Sequence, residues 1–350
     1  MLKQRSYFRA ALLGVVLLSA QQLIAKTEQS FDPAPRDESG RFDNTAGELE
    51  RGSRGVQLAF FLRRFATIFR SADGAPERMA NNGNLLRENN TTPTITWIGH
   101  ATLLVQMDGV NFLTDPIWSN TPSPIPFIGP SRWVEPGVEL ADLPAIDFVV
   151  ISHNHYDHLD LPTLRELAQL NTETEFFVPM GNADLLQKNG ISRVREMNWG
   201  DSINVKGTMV HCLPTQHWSK RSLNDTRKSL WSSWAITGPQ RRFYFAGDTG
   251  YFDGFKDIGD KFGPFDLAAV PVGAYEPRAM MKATHMNPEE AVQSALDVRA
   301  TTAVAMHYGT FDLSDEPLSE PPLRFKAAAE KTSLGTKGSW VLAIGETRSF

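Results

Sequence analysis

A cluster of three histidines and one aspartate is the clearest indication of chemistry in the sequence. It reads His153-Asn154-His155-Tyr156-Asp157-His158 and follows the apolar run of residues 146–152. Imidazole and carboxylate are ligands that zinc prefers, and a loop leaving a buried strand can direct alternate side chains to one point. Solvated turns favour Gly, Asn and Asp over clustered imidazoles. The pattern therefore predicts a metal site, with residues 153 and 155 at one ion and residues 157 and 158 at a second.

Two ions need more ligands, and three candidates stand just after apolar runs farther along the chain. His217 follows TMVHCLPTQ, Asp248 follows RRFYFAG and His307 follows TTAVAM. Taken singly, each histidine could be a hydrogen-bonded core residue and the aspartate an ordinary turn residue. Their shared position at strand ends instead indicates that they join the same site.

Two observations narrow the class of reaction. The sequence has no Gly-x-Ser-x-Gly elbow, and its one cysteine, Cys212, stands inside a predicted strand, so a covalent route lacks a nucleophile. The 35 Lys and Arg residues are outnumbered by 40 Asp and Glu residues, which argues against nucleic acid as a partner. Direct hydrolysis by water is the expected chemistry.

The elements that must position these residues are short strands interleaved with helices. From Thr94 onward, β-rich runs alternate with helical patterns at residues 161–170, at residues 182–188 and after Asn287-Pro288, where Asn caps and Pro takes the first turn. Such interleaving predicts an α/β fold. The pattern alone does not specify the architecture further.

The ligand candidates, in their order along the chain, resemble the metal-ligand series of the metallo-β-lactamase superfamily. That resemblance implies a four-layer αββα sandwich. The motifs GHATLLVQMDGVNFLTDP, TQHWSKRSLND, FYFAGDTGY and FGPFDLAAVPVGAYEPR are similar to the N-acylphosphatidylethanolamine-hydrolysing phospholipase D family and its bacterial relatives. The similarity runs from about Trp97 to the C-terminus and does not include residues 1–54.

The resemblance implies two zinc ions, although iron or manganese accept the same donors. It assigns His153, His155 and His217 to the first metal, Asp157, His158 and His307 to the second, and Asp248 to a bridge between them. Asp115, in LTDP, would orient a ligand or the attacking water, and His285, in KATHMNPEE, would face the reacting phosphate. His100 and His211 are expected to be structural.

The same resemblance implies that a hydroxide shared by the metals cleaves the phosphodiester of N-acylphosphatidylethanolamine, a phospholipid substrate. Two other interpretations stay open: hydrolysis of another bond, such as an ester, lactone, β-lactam or nucleic acid diester, and a non-catalytic exported metal-binding envelope protein. Aromatic and apolar residues are expected to line an acyl-chain groove or to pack in the core: Trp118, Ile125, Phe127, Trp133, Trp218, Trp231, Tyr275 and Met280.

The N-terminal residues have the layout of a secretory signal. Lys3, Arg5 and Arg9 precede the apolar run of residues 10–20, so residues 1–25 are expected to be a cleaved signal or an anchor. An exported protein, periplasmic or membrane-associated, follows from this. Residues 26–92 then form an N-terminal arm, whose polar part at 26–54 is expected on the surface, before a catalytic domain at residues 93–350.

An amphipathic basic helix is predicted at residues 56–70. Its apolar stripe includes Leu58, Phe61 and Leu62, with arginines between them, while Phe60 falls off the stripe and is expected to be exposed. The helix either packs on the catalytic domain or makes a peripheral contact with a membrane. The sequence gives no indication of oligomeric state.

Overall fold

A computed structural model describes residues 31–47, 49–50, 52–66, 73–125 and 129–350, without the side chains of residues 65 and 66. The expected signal or anchor at residues 1–25 lies outside the described residues, as do residues 67–70 of the predicted basic helix. Among the residues described, no helix combines the length and the apolar character that a membrane crossing needs.

Two mixed sheets, each of seven strands in the described part of the chain, form the body of the molecule. The first contains β1 (Thr94–Gly99), β2 (Thr102–Met107), β3 (Val110–Thr114), β4 (Phe148–Val150), β5 (Glu175–Pro179), β6 (Val194–Met197) and β14 (Thr347–Ser349). The second contains β7 (Ser202–Val205), β8 (Thr208–Leu213), β9 (Ser233–Thr237), β10 (Arg242–Phe245), β11 (Phe265–Pro271), β12 (Ala300–Met306) and β13 (Ser339–Trp340). Their strand orders are β14-β1-β2-β3-β4-β5-β6 and β13-β12-β11-β10-β9-β8-β7.

Eight α-helices accompany these strands in the described residues. They are α1 (Arg54–Ala66), α2 (Asn84–Glu88), α3 (Leu161–Leu170), α4 (Ala183–Lys188), α5 (Gly254–Phe262), α6 (Arg278–Met281), α7 (Pro288–Asp297) and α8 (Glu320–Ala329). Helix α3 has the bounds predicted from its pattern, and the predicted cap of α7 is confirmed. There Asn287 accepts a hydrogen bond from the Glu290 amide at 2.8 Å, and Glu290 accepts one from the Asn287 amide at 3.0 Å.

The sheets pack face to face because their inner faces are apolar. Phe112 of β3 lies 4.8 Å from Phe148 of β4 and 5.7 Å from Phe243 of β10, between ring centroids, so the aromatic core joins both sheets. A second apolar cluster, which includes Leu164 and Leu167 of α3, covers the outer face of the first sheet. This is the αββα sandwich that the resemblance implied.

Each sheet has one half of parallel strands, and this half positions the candidate site. Strands β3 to β6 run parallel in the first sheet, and β10 to β13 run parallel in the second. The carboxyl ends of parallel strands meet at one edge of a sheet, which is where ligands bind in such folds. The candidate residues follow β3, β4, β8, β10 and β12, so they gather at that edge of the sandwich.

Most of residues 31–47 is exposed, as expected for the arm, but three side chains of this segment are buried. Ala34, Phe42 and Asn44 are buried, and Ala34 and Phe42 belong to the main apolar core. The segment is polar in average composition, but a few anchoring side chains are enough to fix it. Arg227, in the segment between β8 and β9, pairs with Asp37 at 2.7 Å and with Asp43 at 3.0 Å.

Helix α1 is oriented differently from the prediction. Phe60 is 5% exposed, whereas Leu58, Phe61 and Leu62 are 61%, 55% and 61% exposed, so the expected exposure of Phe60 is wrong. Arg63 pairs with Asp315 at 2.5 Å and Arg64 with Asp312 at 2.8 Å. The helix therefore docks through its arginines and Phe60, and its apolar stripe faces away from the domain.

Candidate metal centre

The first group of candidate ligands is His153, His155 and His217. The loop after β4 supplies the first two, and the loop after β8 supplies His217. His153 Nε2 lies 2.8 Å from His155 Nδ1, and His217 Nε2 lies 3.3 Å from the same atom. Nitrogens bound tetrahedrally to one zinc ion at 2.0–2.1 Å are separated by about 3.3 Å. The three rings thus converge as ligands of one ion would.

The second group is Asp157, His158 and His307. His158 Nε2 lies 3.0 Å from His307 Nε2 and 3.3 Å from Asp157 Oδ2, which in turn is 3.6 Å from His307 Nε2. His307 follows β12, in the other sheet. The loop after β4 therefore serves both groups, with residues 153 and 155 in one and residues 157 and 158 in the other.

Asp248, which follows β10, lies between the two groups. Its Oδ2 is 3.3 Å from His158 Nε2 and 3.9 Å from His217 Nε2, and its Oδ1 is 3.0 Å from His307 Nε2. One carboxylate therefore reaches members of both groups. That is the position a bridging ligand would occupy.

The donor set fits bound metal ions. Asp248 is buried, and its Oδ1 has no hydrogen-bond partner. A buried carboxylate needs a compensating positive charge, and imidazole nitrogen and carboxylate oxygen atoms converging on one point suit a divalent cation in that role. Within each of the sets His153–His155–His217 and His100–Asp157–His158–His307, the candidate ligand atoms lie within 4.8 Å of one another.

The two groups of candidate ligands differ in the pKa values of their histidines, because burial and nearby carboxylates act on them differently. Burial lowers the pKa of His155 to about 4 and the pKa values of His153 and His217 well below 6.5, so these rings are neutral, as ligands must be. Burial opposes protonation of His307 as well, but the Asp248 carboxylate outweighs it and raises the pKa of His307 to about 9. A cation entering the second group therefore displaces a proton.

Asp115, after β3, holds one ring in place. Its buried carboxylate accepts hydrogen bonds from the Ser152 amide at 2.6 Å, the Ser152 hydroxyl at 2.5 Å and His158 Nδ1 at 2.6 Å. His217 is fixed in the same way, because its Nδ1 donates to the Thr284 carbonyl at 3.0 Å. Such partners fix the tautomer and leave Nε2 free for a metal.

His285 lies at the rim of the cluster. Its Nδ1 is 3.8 Å from Asp248 Oδ2, and its side chain is 14% exposed, against 3% for Asp248. Arg278 donates to the His285 carbonyl at 2.9 Å while pairing with Glu290 at 2.7 Å, so the backbone here is held firmly. Burial lowers the pKa of His285 to about 4, so its ring is neutral at pH 7.

His100, expected to be structural, belongs to this cluster. Its Nε2 lies 3.0 Å from Asp157 Oδ2, and its ring centroid is 4.1 Å from that of His307. It follows β1, so the strand-end criterion applied to the other candidates would have selected it. His100, Asp115 and His307 have φ values of 52°, 35° and 62°, backbone conformations that are rare outside glycine and cluster at functional sites.

Arg221, in TQHWSKRSLND, is a second residue that the sequence reasoning did not single out. Its Nη1 donates to the carbonyls of Asn154 at 3.0 Å and Leu159 at 2.8 Å, which bracket the ligand loop. The guanidinium lies 3.9 Å from the ring centroid of Tyr156, whose hydroxyl donates to the Arg221 carbonyl at 2.9 Å. Arg221 therefore clamps the loop from the side opposite the ligands.

The aromatic residues considered for a groove separate into two sets. Trp231 and Tyr275 are buried in the interior, so the groove role is wrong for them. Trp218 is partly exposed and lies 4.6 Å from the His155 ring, beside the centre. Ile125 is exposed, and Phe127 lies outside the described residues. Trp118, Trp133 and Met280 are partly exposed.

Comparison with known proteins gives a consistent set of relatives. Residues 110–308 match the family model described as Beta-lactamase superfamily domain. The N-acyl-phosphatidylethanolamine-hydrolyzing phospholipase D 1 of Caenorhabditis elegans is 48% identical over 228 residues, 62% of this chain and 64% of that protein. The mitochondrial N-acyl-phosphatidylethanolamine-hydrolyzing phospholipase D of Saccharomyces cerevisiae is 35% identical over 247 residues, 67% of this chain and 51% of that protein. The matches thus span less than two thirds of either relative.

A solved structure agrees with the architecture. A metallo hydrolase from the hyperthermophilic archaeon Ignicoccus hospitalis aligns with a TM-score of 0.57 and 25% sequence identity. The alignment covers 74% of this chain and 99% of that protein. Almost the whole of that hydrolase therefore has a counterpart here.

Proposed function

Because the chain belongs to the metallo-β-lactamase superfamily and is a metal-dependent hydrolase, we propose that it is a phospholipase D-type phosphodiesterase acting on N-acylphosphatidylethanolamine-like lipids. The observation that carries the proposal is the buried cluster of seven candidate ligands, spread over the two sheets, in a chain similar to two enzymes named for that reaction. The cleaved bond would be the ester bond of the phosphodiester that joins the phosphate to the head-group alcohol.

The proposed centre holds two zinc ions, and iron or manganese would suit the same donors. His153, His155 and His217 would hold the first ion, Asp157, His158 and His307 would hold the second, and Asp248 lies where it could serve both. The spread of the donors supports two ions over one, because a structural site usually closes four ligands around a single metal.

Bound there, the metals supply the Lewis acidity that activates water near neutral pH and offsets charge on phosphoryl oxygens. The chain's own contribution is to orient the donors and to bind the phosphate. Asp115 fixes His158, and Arg221 clamps the loop that carries four of the ligands. His285, neutral and at the rim, can donate one ring N–H to a phosphoryl or leaving oxygen. The buried Cys212 takes no part, because burial raises the pKa of its thiol.

We further propose that α1 is a peripheral membrane contact. The exposed stripe of Leu58, Phe61 and Leu62 supports this, because the transfer of such apolar side chains from water into a lipid interface is favourable. The arginines do not add attraction to anionic lipid, because Arg63 and Arg64 are paired with acidic side chains. The pattern at residues 1–25 supports export to a compartment where phospholipid is accessible.

The experiment is a substrate panel run together with metal analysis. The panel contains N-acylphosphatidylethanolamine vesicles, bis-p-nitrophenyl phosphate, a lactone and a β-lactam. We expect about two metals per chain and preference for the lipid diester.

Asp248→Asn should fold, lose metal and lose at least about 100-fold in activity. Asp260→Asn, at an exposed position on α5, is the matched control and should behave as wild type.

Three results would contradict the proposal. Metal with turnover of only the lactone or the β-lactam would move the protein to another hydrolase class. Metal without turnover of any substrate would favour a non-catalytic metal-binding protein. Full activity of Asp248→Asn would remove the bridging role.

A further inference from the structure

The arm at residues 31–47 lies outside the matched family residues, yet it is fastened to the segment that follows His217. The Phe42 amide donates to the Arg227 carbonyl at 2.9 Å, and the Arg227 side chain pairs with Asp37 and Asp43. The Phe42 side chain is buried in the core. The arm is therefore held at a fixed position beside the metal centre.

Asn44 is the residue of this arm that reaches the centre. It is 5% exposed, and its Nδ2 donates to the His217 carbonyl at 3.0 Å while its Oδ1 accepts from the His217 amide at 3.1 Å. The same Oδ1 accepts from Trp231 Nε1 at 2.9 Å. One side-chain amide thus pairs with both backbone groups of a candidate ligand that is 173 positions away in the sequence.

His217 needs this support because it lies beyond the end of β8, where no neighbouring strand pairs with it. Its side chain is held by the Thr284 carbonyl, and its backbone is held by Asn44. A buried peptide group without a partner is unfavourable, so loss of Asn44 would let this loop shift. The separation of His217 Nε2 from His155 Nδ1 would change with it.

We propose that Asn44 is a positioning residue for the first metal site and that residues 31–47 are an integral part of the centre. This inference rests on the metal assignment of the proposed function. The side-chain hydrogen bonds of Asn44 reach His217 and Trp231, and none of them reaches Asp157, His158 or His307. Its effect is therefore confined to one of the two ions.

The test is stepwise zinc binding to the full chain after chelation, followed by calorimetry and by the absorption spectrum of the cobalt-substituted protein. Asn44→Leu removes all three hydrogen bonds at similar volume. Asn44→Asp keeps both acceptor contacts but replaces the donor to the His217 carbonyl by a carboxylate oxygen, which repels that carbonyl. Glu38→Gln is the matched control, because it changes an exposed residue of the same arm and leaves Asn44 and the contacts with Arg227 in place.

We expect Asn44→Leu to weaken one binding step about 10- to 100-fold and to leave the other unchanged, with an altered cobalt spectrum. The zinc affinity of Asn44→Asp at this step should fall between those of Asn44→Leu and wild type, and Glu38→Gln should match wild type. Equal weakening of both steps, or wild-type binding by Asn44→Leu, would overturn the positioning role. Should Asn44→Leu not fold, Asn44→Asp decides by the same criterion. Lipid hydrolysis by the wild type is measured separately, so its absence counts against the proposed function alone.

Discussion

At the scale of single residues, the centre depends on side chains that bind no metal themselves. Asp115, Asn44 and Arg221 each hold a ligand or the ligand loop through short hydrogen bonds. His285 is different, because it stands at the rim with one face toward solvent. Its contribution should therefore be separable from metal binding.

Replacing His285 by Ala should lower kcat about 100- to 1000-fold, because a donor to the reacting phosphate is lost. The metal content should not change. The pKa of His285 is about 4, so the ring is neutral above pH 5 and the ratio of wild-type to variant kcat should be constant from pH 6 to 9. Rate measurements across this range, with His211→Gln on β8 as control, check the prediction. A ratio that falls as pH rises through 7 would instead indicate a protonated histidine acting as acid.

Sequence reasoning recovered the residues that carry a strong chemical signature. The cluster at residues 153–158 and the residues after β8, β10 and β12 converge in the structure, because strand ends of one sandwich edge are adjacent. Asn44 could not be found in this way, since an asparagine in a polar segment has no distinguishing pattern. Its role arises from a contact between distant parts of the chain, which only the folded structure reveals.

At the scale of elements, periodicity located helices and strands but did not decide which face of α1 is buried. An apolar stripe normally packs on the core. Here two arginines find acidic partners on the catalytic domain, so the helix docks by its polar side and leaves Leu58, Phe61 and Leu62 exposed. Both interpretations of the helix, packing and membrane contact, are compatible with this orientation.

Changing Leu58, Phe61 and Leu62 together to Ser should weaken binding to phospholipid vesicles at least about 10-fold, because each exposed apolar side chain contributes transfer free energy. The melting temperature should change little, since these side chains do not pack in the core. Vesicle sedimentation and thermal unfolding measure the two effects. Leu323→Ser, which changes an exposed leucine on α8, is the control. Unchanged vesicle binding by the triple variant would contradict the membrane role.

At the scale of the whole molecule, the proposed metals connect the two sheets. The loop after β4 in the first sheet contributes His153, His155, Asp157 and His158, and loops of the second sheet contribute His217, Asp248 and His307. Metal ions at this edge would therefore join the two halves of the sandwich as well as serve the reaction.

Removing the metals should lower the melting temperature, because ions that bind only the folded chain stabilise it by about 4 kcal/mol at 1000 times their Kd. Thermal unfolding after chelation, and then at increasing free zinc, measures this effect. The melting temperature should rise with the logarithm of zinc concentration. Calcium, which prefers oxygen ligands, serves as the control and should have little effect. A melting temperature independent of zinc would argue against metals joining the sheets.

The strand order has a further consequence for biosynthesis. Strand β14, at Thr347–Ser349, pairs with β1, the first strand in the described part of the chain. During translation β1 emerges early and keeps an unpaired edge until residues 347–349 have left the ribosome. The nascent chain can form most of the second sheet before the first sheet is complete. A C-terminal truncation that removes β14 would expose that edge permanently, so such a chain should aggregate even though every candidate ligand is retained.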